Sequence, residues 1–516
     1  MEASVAARGL TLRGLLKRVR DHLAGRDQGY VLIIGMLVMS VLLLLGGALL
    51  LQVQRNQQHV TRDRAYTQSL AIAEAGLNQY LWMVIEGISS EVNDFAIPGA
   101  PAANPNKMTF VYTDPHDGSI KGEYTTEVDP PTASRSSIEV KVTGVSHQPV
   151  DQSRTVFAHL NRPAFSEYIM ITNEVFTIAG APDDPDRKWW GRTHSNKGVC
   201  VETTNINDLI TCANSNPGVY THYVPLGHPS RDYWKEDVGW IDFSALTGDL
   251  NKLNEYATDV ATKLPYSTAT GTGWGKPPAH GDTRGWYIWL KPNQKYQIRL
   301  VTGETESKAG QGNKVGGSLS LDTTGLAAFG LGAGEYDYPA EGVIYVNDNV
   351  WVEGTNLEGR ITIACSGQLN PVGYRDETSL HVVGDITYKE KNGEAAVGLI
   401  AEKNVEIPAY APLGKGGVGS LSDVDMEIDA AMIAQKGARF ARAADMGGPL
   451  RDYLIIYGSN TSNKAPFRVS GNHGFANADT QYDPFLLHNP PPHFPTIGTY
   501  QIVDWRELPA GMAVEP

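Results

Sequence analysis

The chain has 516 residues, of which 41% are hydrophobic and three are cysteines. This length suffices for two or three domains with buried cores, and so few cysteines exclude a scaffold built on disulfides. The net charge is -14 and basic residues concentrate at the amino terminus, so we expect no nucleic-acid-binding surface on the rest of the chain.

An uncharged apolar run from Tyr30 to Val53 is the first predicted element. As a helix it is long enough to cross the ~30 Å hydrocarbon core of a bilayer. The leader before it, residues 1–29, is basic, which by the positive-inside rule places the leader in the cytoplasm and the C-terminal part outside. Its cationic side chains are Arg8, Arg13, Lys17, Arg18, Arg20 and Arg26. The pattern predicts a single-pass protein of the cytoplasmic membrane.

The apolar run does not resemble a cleaved secretory signal, because polar residues and an arginine follow it where small residues are expected. The sharp boundary instead precedes the run, where charged residues give way to Gly29 and then Tyr30. Gly29 is therefore a candidate cut site on the cytoplasmic side of the membrane.

Beyond the membrane the helix is predicted to continue through residues 30–87, since no proline occurs before Pro98. An apolar stripe with spacings of four and three predicts that this part packs on a folded domain. The stripe consists of Tyr66, Leu70, Ala73, Leu77, Tyr80 and Val84.

A basic leader ending in Gly29, an aromatic Tyr30, an apolar helix and the segment AIAEAGLNQYLW resemble type IV pilins and their secretion pseudopilin relatives, most of all PilX-type minor pilins. The resemblance implies cleavage between Gly29 and Tyr30 by prepilin peptidase and methylation of the new N-terminus. The implied partners are other pilins and minor pilins, the pilus assembly machinery of the inner membrane, and membrane lipid.

The fifth position after the cut departs from that family, because most pilins have Glu there and this chain has Ile34. Since Ile34 cannot pair with a neighbour's terminal amine, the departure favours a tip or priming position over the filament shaft, and a membrane anchor outside any filament is the alternative. Gly46 and Gly47 lie inside the helix, either for close packing or as a point where the helix stretches on assembly.

Residues 88–164 are predicted to form a small antiparallel domain that packs on the helical stripe. Its strands alternate apolar and polar residues between turn sequences. The predicted strands are Met108–Tyr112, Gly122–Val128, Ser137–Val145 and Thr155–Leu160. The overall fold class is therefore α+β, with a long transmembrane helix on a small sheet and a β-rich head.

The head, residues 165–475, contains short apolar strands between Gly and Asn residues, which cannot form cores alone. The segments Val397–Ile407 and Ala430–Phe440 echo each other and indicate stacked rungs. We expect a right-handed parallel β-helix, with an antiparallel β-sandwich as the alternative. An insertion at about 241–335 contains one helix between Ile241 and Pro265.

Several head segments also resemble the large ectodomains of PilX-like proteins that end in a β-helical region. They are GRTHSNKGV, GVIYVNDNVWVEG, GLIAEKNVEIP, LIIYGS and YDPFLLHNPPPHFP. The last segment lies in a Pro-rich C-terminal tail, residues 476–516, in which Pro490, Pro491 and Pro492 are predicted to pin the tail across the head.

Candidate site residues in the head are few. Cys200 and Cys212 are close enough in sequence for a disulfide in an oxidising compartment, with free thiols as the alternative. Asp183, Asp184 and Asp186, beside Trp189 and Trp190, form either a glycan- or calcium-binding patch or a solvated turn. His473, His488 and His493 favour a surface latch over a metal site.

No nucleophile or phosphate-loop motif occurs, so we predict no enzyme, no cofactor and no metal. The predicted function is that of a minor pilin or pilin-like subunit of a type IV pilus, acting in pilus initiation, tip display or adhesion to a glycan, host or abiotic surface. The alternative is a membrane-tethered β-helical protein outside any filament that binds or cleaves glycans.

Overall fold

The computed structural model describes residues 28–87, 95–131, 137–178, 190–202, 208–215, 218–220, 234–244, 246–266, 285–306, 317–368, 377–413, 424–442, 450–470 and 473–508. One long helix precedes a β-rich remainder, which confirms the predicted α+β class.

The two α-helices are α1 (Gln28–Ile85) and α2 (Leu246–Tyr256) among the described residues. The strands, in chain order, are β1 (Lys107–Thr113), β2 (Ile120–Asp129), β3 (Ile138–Ser146), β4 (Gln152–Asn161), β5 (Tyr168–Thr172), β6 (Phe176–Ile178), β7 (Arg192–Ser195), β8 (Gly198–Val201), β9 (Ile210–Cys212), β10 (Gly218–Tyr220), β11 (Trp234–Lys235), β12 (Lys263–Leu264), β13 (Gly285–Lys291), β14 (Lys295–Glu306), β15 (Gly317–Asp322), β16 (Glu335–Asp337), β17 (Val343–Val346), β18 (Val350–Leu357), β19 (Arg360–Cys365), β20 (Leu380–Tyr388), β21 (Ala396–Ala401), β22 (Val405–Ile407), β23 (Met426–Ala434), β24 (Arg439–Ala441), β25 (Leu450–Ser462), β26 (Val469–Ser470), β27 (His473–Gln481) and β28 (Gln501–Leu508).

Helix α1 is continuous over 58 residues, which corresponds to a length of about 87 Å. Its first half projects from the protein, and its second half packs on the small sheet. The predicted stripe is confirmed at Ala73, Leu77 and Tyr80, which are buried, but wrong at Tyr66, which is 45% exposed. Tyr66 instead lies under the guanidinium of Arg154. Its ring is therefore at the edge of the interface between α1 and the small sheet and not inside the core.

The small sheet has the strand order β1-β2-β3-β4-β28 and is antiparallel throughout. Its first four strands occur where the alternating pattern predicts them. The inward residues Val140, Val142 and Val156 are fully buried with Ile72 and Leu77 of α1. Alternation and helical spacing together place one apolar face of each element in a shared core.

Helix and sheet approach each other through glycines. A Cβ atom on Gly144 would lie 2.5 Å from the backbone nitrogen of Ala73 and closer still to the carbonyl oxygen of Ser69. On the helix side, a Cβ on Gly76 would lie 2.8 Å from Cγ1 of Val142. Both contacts are shorter than any side chain allows, so glycine at these positions sets the distance between helix and sheet.

The fifth strand of this sheet comes from the far end of the chain. β28 pairs with β4 from Gln501–Asn161 to Leu508–Thr155, and Arg154 forms an ion pair with Glu507 across the pair. The predicted C-terminal tail therefore contributes a strand to the predicted small domain. The head is inserted between β4 and β28 of one sheet.

In the described part of the head, one parallel ladder contains ten strands. Their order is β12, β17, β19, β21, β23, β25, β5, β7, β9 and β11. We name this the first ladder. The predicted echo is confirmed within it, because Leu399 and Ile400 stand in register with Met432 and Ile433.

Two further parallel ladders run beside the first. The second contains β13, β18, β20, β22 and β24, and the third contains the later parts of β18 and β20 followed by β23, β25 and β27. A smaller ladder joins β6, β8 and β10. These pairings are parallel, unlike those of the antiparallel sandwich alternative. The right-handed coil of a β-helix stays a prediction.

The first strand of the head, β5, stacks on one of its late strands, β25, in the middle of the first ladder. β5 pairs with the end of β25, and the amide groups of Asn463, Asn173 and Asn196 connect successive strands through hydrogen bonds of 3.0 Å. The chain therefore moves outward from β5 to β11 and resumes at the opposite end with β12.

Helix α2 lies on the outside of the first ladder and spans the gap between β11 and β12. Leu250 and Leu253 are buried in one cluster with Tyr345, Ala364 and Ile400, which come from three successive strands. Eleven residues of helix extend about 16 Å, or roughly three strand spacings. The predicted helix in the insertion is confirmed, and it carries the chain back along the stack.

Residues 482–497, which we name the strap, cross the outside of the same ladder. Tyr457 Oη donates to Asp483 at 3.1 Å, Arg360 donates to Asn489 at 2.8 Å, and Thr362 Oγ1 donates to the Pro492 carbonyl at 2.5 Å. The strap then pairs with the chain that enters the head, since Phe165 N donates to Pro495 O at 3.1 Å and Ile497 N donates to Pro163 O at 2.6 Å.

Candidate functional site

The first half of α1 is the largest unpaired apolar surface in the described structure. Its large apolar side chains from Leu32 to Val53 are exposed along the whole length of the run. By length and composition this helix is able to cross a membrane, and its most apolar window is not buried within the protein. A surface of this size in water requires lipid or other helices as its partner.

The predicted assembly residues lie on this unbroken helix. Gln28 is its first residue, so the backbone of Gly29 and Tyr30 is helical, and cleavage between them stays a prediction. Ile34 is 50% exposed and contacts no folded part of the protein that the structure describes. A Cβ on Gly46 or Gly47 would meet no atom within 4 Å, so neither glycine is required for packing within the monomer.

A basic stripe follows the apolar run, and we define it as Arg55, His59 and Arg62. The spacing of four and then three residues places them on one side of the helix, where all three are exposed. The structure shows no ion pair or hydrogen bond from these side chains to any residue it describes. The spacing of the three basic residues is visible in the sequence, but a search for apolar residues at helical spacing does not reveal it.

On the head, an ionic network covers the outer side of the second ladder. Arg442 donates from Nε to Glu406 at 2.6 Å, from Nη1 to Glu304 at 3.0 Å and from Nη2 to His381 Nδ1 at 2.7 Å. Glu304 also accepts from Tyr410 Oη at 2.6 Å. Sequence reasoning did not find this network, because its members are distant in sequence and meet only through strand register.

Electrostatics fix the charge state of this network. Burial alone would raise the pKa of Glu304, whose side chain is only 3% exposed. The charge of Arg442 and the hydrogen bonds from Tyr410 and Trp351 outweigh burial and hold that pKa below its usual range. Because the guanidinium engages both carboxylates, the arrangement serves to join strands and offers neither group as a general acid.

The predicted acidic and aromatic patch lies mostly outside the described residues. Asp183, Asp184, Asp186 and Trp189 belong to that part of the chain. Trp190 is described and is 56% exposed. The binding role of this patch stays a prediction.

The candidate disulfide is not formed in the structure. Cys200 lies in β8 and Cys212 in β9, which belong to different ladders, and both are thiols. The Sγ of Cys212 donates to the carbonyl of Asn214 at 2.8 Å, and burial raises the pKa of its thiol to about 11. The short separation of the two cysteines in sequence therefore spans two strands that belong to different ladders.

Alkylation provides a direct check of these cysteines. We expect the denatured, unreduced protein to take up three iodoacetamide adducts, one for each of Cys200, Cys212 and Cys365, because all three are thiols. Mass spectrometry of the intact chain measures the number. A single adduct, rising to three only after reduction, would establish the bridge that the sequence suggested.

The three histidines do not converge. His493 stacks on Tyr256 with ring centroids 3.7 Å apart and lies 3.1 Å from Glu341, so it connects the strap to α2 as a latch would. His488 follows the short helical turn at Pro484–Leu487, and His473 begins β27. Among the described residues no group of three or more side chains is arranged to hold a metal ion.

No family model and no curated protein matches this chain. Among solved structures, the crystal structure of the competence-associated pilin ComZ from Thermus thermophilus overlaps 86% of this chain and 97% of its own, with 12% identity and a TM-score of 0.27. A TM-score this low does not establish a shared fold. That protein is a pilin, and the overlap does not assign this role to the present chain.

Proposed function

We propose that this chain is a minor pilin or pilin-like subunit of a type IV pilus system. It is inserted in the cytoplasmic membrane through α1, cut between Gly29 and Tyr30 by prepilin peptidase, methylated at Tyr30 and then drawn into a filament. Its head acts without catalysis in pilus initiation, tip display or surface adhesion.

The observation behind this proposal is the division of α1 into two halves with different surroundings. The half after Ala65 is fixed to the sheet at distances that only glycine and small residues permit, as at Gly76 and Gly144. The half before it is apolar, exposed and continuous with the anchored half. Such a rod fits first among lipids and then among similar rods without refolding.

The size and attachment of the head support a terminal position in the filament. The head leaves the small sheet after β4 and returns to it at β28, so two adjacent chain segments, near Phe165 and Ile497, connect the two parts. The absence of a carboxylate at Ile34 points the same way. A large β-rich head that is displayed at the tip through such a connection is suited to contact a surface glycan, a host surface or an abiotic surface.

Cleavage is the sharpest test of the proposal. In cells that contain prepilin peptidase we expect the mature chain to begin at Tyr30, and Gly29→Val to leave the leader attached, because a β-branched side chain beside the scissile bond obstructs the peptidase. The native N-terminus is identified by mass spectrometry. Gly25→Val is the matched control, since it changes a glycine four residues earlier in the same leader.

A chain that keeps its leader in the presence of the peptidase would overturn the filament proposal. In that case the membrane-tethered alternative gains support, and release of reducing sugars by the full-length protein would identify glycan cleavage. Processed protein that labels filaments only at their ends would support the tip position, whereas uniform labelling along the shaft would contradict it.

A further inference from the structure

The part of α1 from Tyr30 to Arg62 contains positive charge without negative charge. Residues 30–62 include no Asp or Glu, whereas Arg55 and Arg62 are cationic and His59 lies between them. On the proposed function, the cut at Tyr30 adds a terminal amine to the same segment. A bundle built only from copies of this helix would therefore collect more cations than carboxylates, since Asp63 is the one exposed acid next to Arg55, Arg62 and Arg64.

The geometry of the basic stripe gives these charges a direction. Arg55, Arg62 and Ser69 follow one another at intervals of seven residues, so they lie on one side of the helix. Ser69 is buried against the sheet, and the stripe therefore continues this side of the helix below the head. Asp63 lies about 100° round from Arg62 and borders the stripe beside His59, whereas Arg64 lies about 200° round and points away from it.

Membrane insertion makes these charges oppose self-association. Two copies inserted in the same orientation place residue 55 of each chain at the same depth, and likewise residue 62, about 10 Å further out. Arg55 follows Val53 by two residues and therefore lies at the boundary of the hydrocarbon, where charges interact more strongly than in bulk water. Side-by-side copies face each other with like charges.

We propose that the basic stripe is a docking surface for the helix of a different subunit, one that carries carboxylates at the depth of Arg55 to Arg62. This inference deepens the proposed function by naming the partner's chemistry. Charge complementarity attracts such a helix and charge repulsion rejects a second copy of this chain. The subunit consequently enters an assembly beside an acidic helix and does not form a homopolymer.

Fluorescence energy transfer between full-length, uncut copies in phosphatidylcholine vesicles tests this inference. The probe is a charge-reversed copy carrying Arg55→Glu and Arg62→Glu. We expect the native chain to associate with the reversed copy about fivefold more strongly than with itself, with the difference falling as salt is added. Arg64→Glu is the matched control, and because residue 64 lies off the stripe it should leave native self-association unchanged.

Equal association of the native chain with itself and with the reversed copy would overturn the inference. If phosphatidylglycerol in the vesicles abolishes the preference while binding lipid through Arg55 and Arg62, then the stripe serves anionic head groups and the inference also fails. Uncut protein is used, so neither outcome depends on cleavage. The mature chain can begin at Tyr30 even if the stripe does not dock an acidic helix, and the stripe can dock such a helix even if the chain is not cut at Tyr30.

Discussion

Gly144→Ala should lower the free energy of unfolding of the small sheet and α1 by about 3 kcal/mol, because overpacking against fixed backbone is costly. The new methyl group would lie 2.5 Å from the nitrogen of Ala73 and still closer to the Ser69 carbonyl oxygen. Neither atom belongs to a side chain that can rotate away, so the helix must move off the sheet. Thermal unfolding of the full-length protein in detergent measures the loss.

Gly76→Ala provides an informative comparison. Its methyl group would meet side-chain atoms of Tyr124 and Val142, which can shift, so we expect a smaller loss than for Gly144→Ala. Gly239→Ala is the control, since a Cβ there meets nothing within 4 Å. Equal stability of the Gly144→Ala protein and the control would show that helix and sheet are further apart than the structure places them.

The spacing of apolar residues along the sequence predicted the elements that bury one face, namely strands β1 to β4 and the second half of α1. Strands β1 to β4 alternate apolar and polar residues because one sheet face is buried, and the period of two is visible in the sequence. Ala73, Leu77 and Tyr80 were predictable because helical spacing reveals a buried side. Tyr66 was misassigned since a pattern cannot show where the sheet ends and Arg154 covers the ring instead.

The pairing of strands that are distant in sequence could not be predicted from such patterns. Nothing in the composition of Gln501–Leu508 indicates that it joins the sheet of β4, because an edge strand that is exposed on both faces shows no alternation. The stacking of β5 on β25 is equally hidden, although Asn173 and Asn463 are the residues that connect them. Each choice of neighbour depends on the whole stack rather than on the segment itself.

The candidate functional residues also divide into those that local sequence predicts and those that only long-range pairing brings together. The membrane helix and the cut at Gly29 are local signals and were predicted from residues 1–60. The network of Glu304, His381, Glu406 and Arg442 was not, since four separate strand ends supply its members. Charged residues in a sequence are usually solvated, and only register shows that these four are partly or fully buried together.

Arg442→Met is predicted to lower the free energy of unfolding of the head by about 3–5 kcal/mol at neutral pH, because it leaves buried carboxylates without their counter-ion. Glu304 loses its guanidinium partner at 3.0 Å and Glu406 loses its partner at 2.6 Å. Chemical denaturation monitored by tryptophan fluorescence measures the change, since Trp351 donates to Glu304 within the network. Lys389→Met, which removes an exposed ion pair with Glu358, is the control and should have no measurable effect.

The pH dependence identifies the cause of that loss. In the native protein the pKa of Glu304 is lowered, so its contribution to stability is present above the pKa of the unfolded chain and is lost as the pH falls through the folded value. Without Arg442, burial dominates and raises that pKa, so the variant should gain stability on acidification from neutral pH while the native protein does not. Adding Glu304→Gln to Arg442→Met should remove most of this gain. A variant whose stability falls on acidification in parallel with the native protein would assign the loss to packing of the arginine stem rather than to charge.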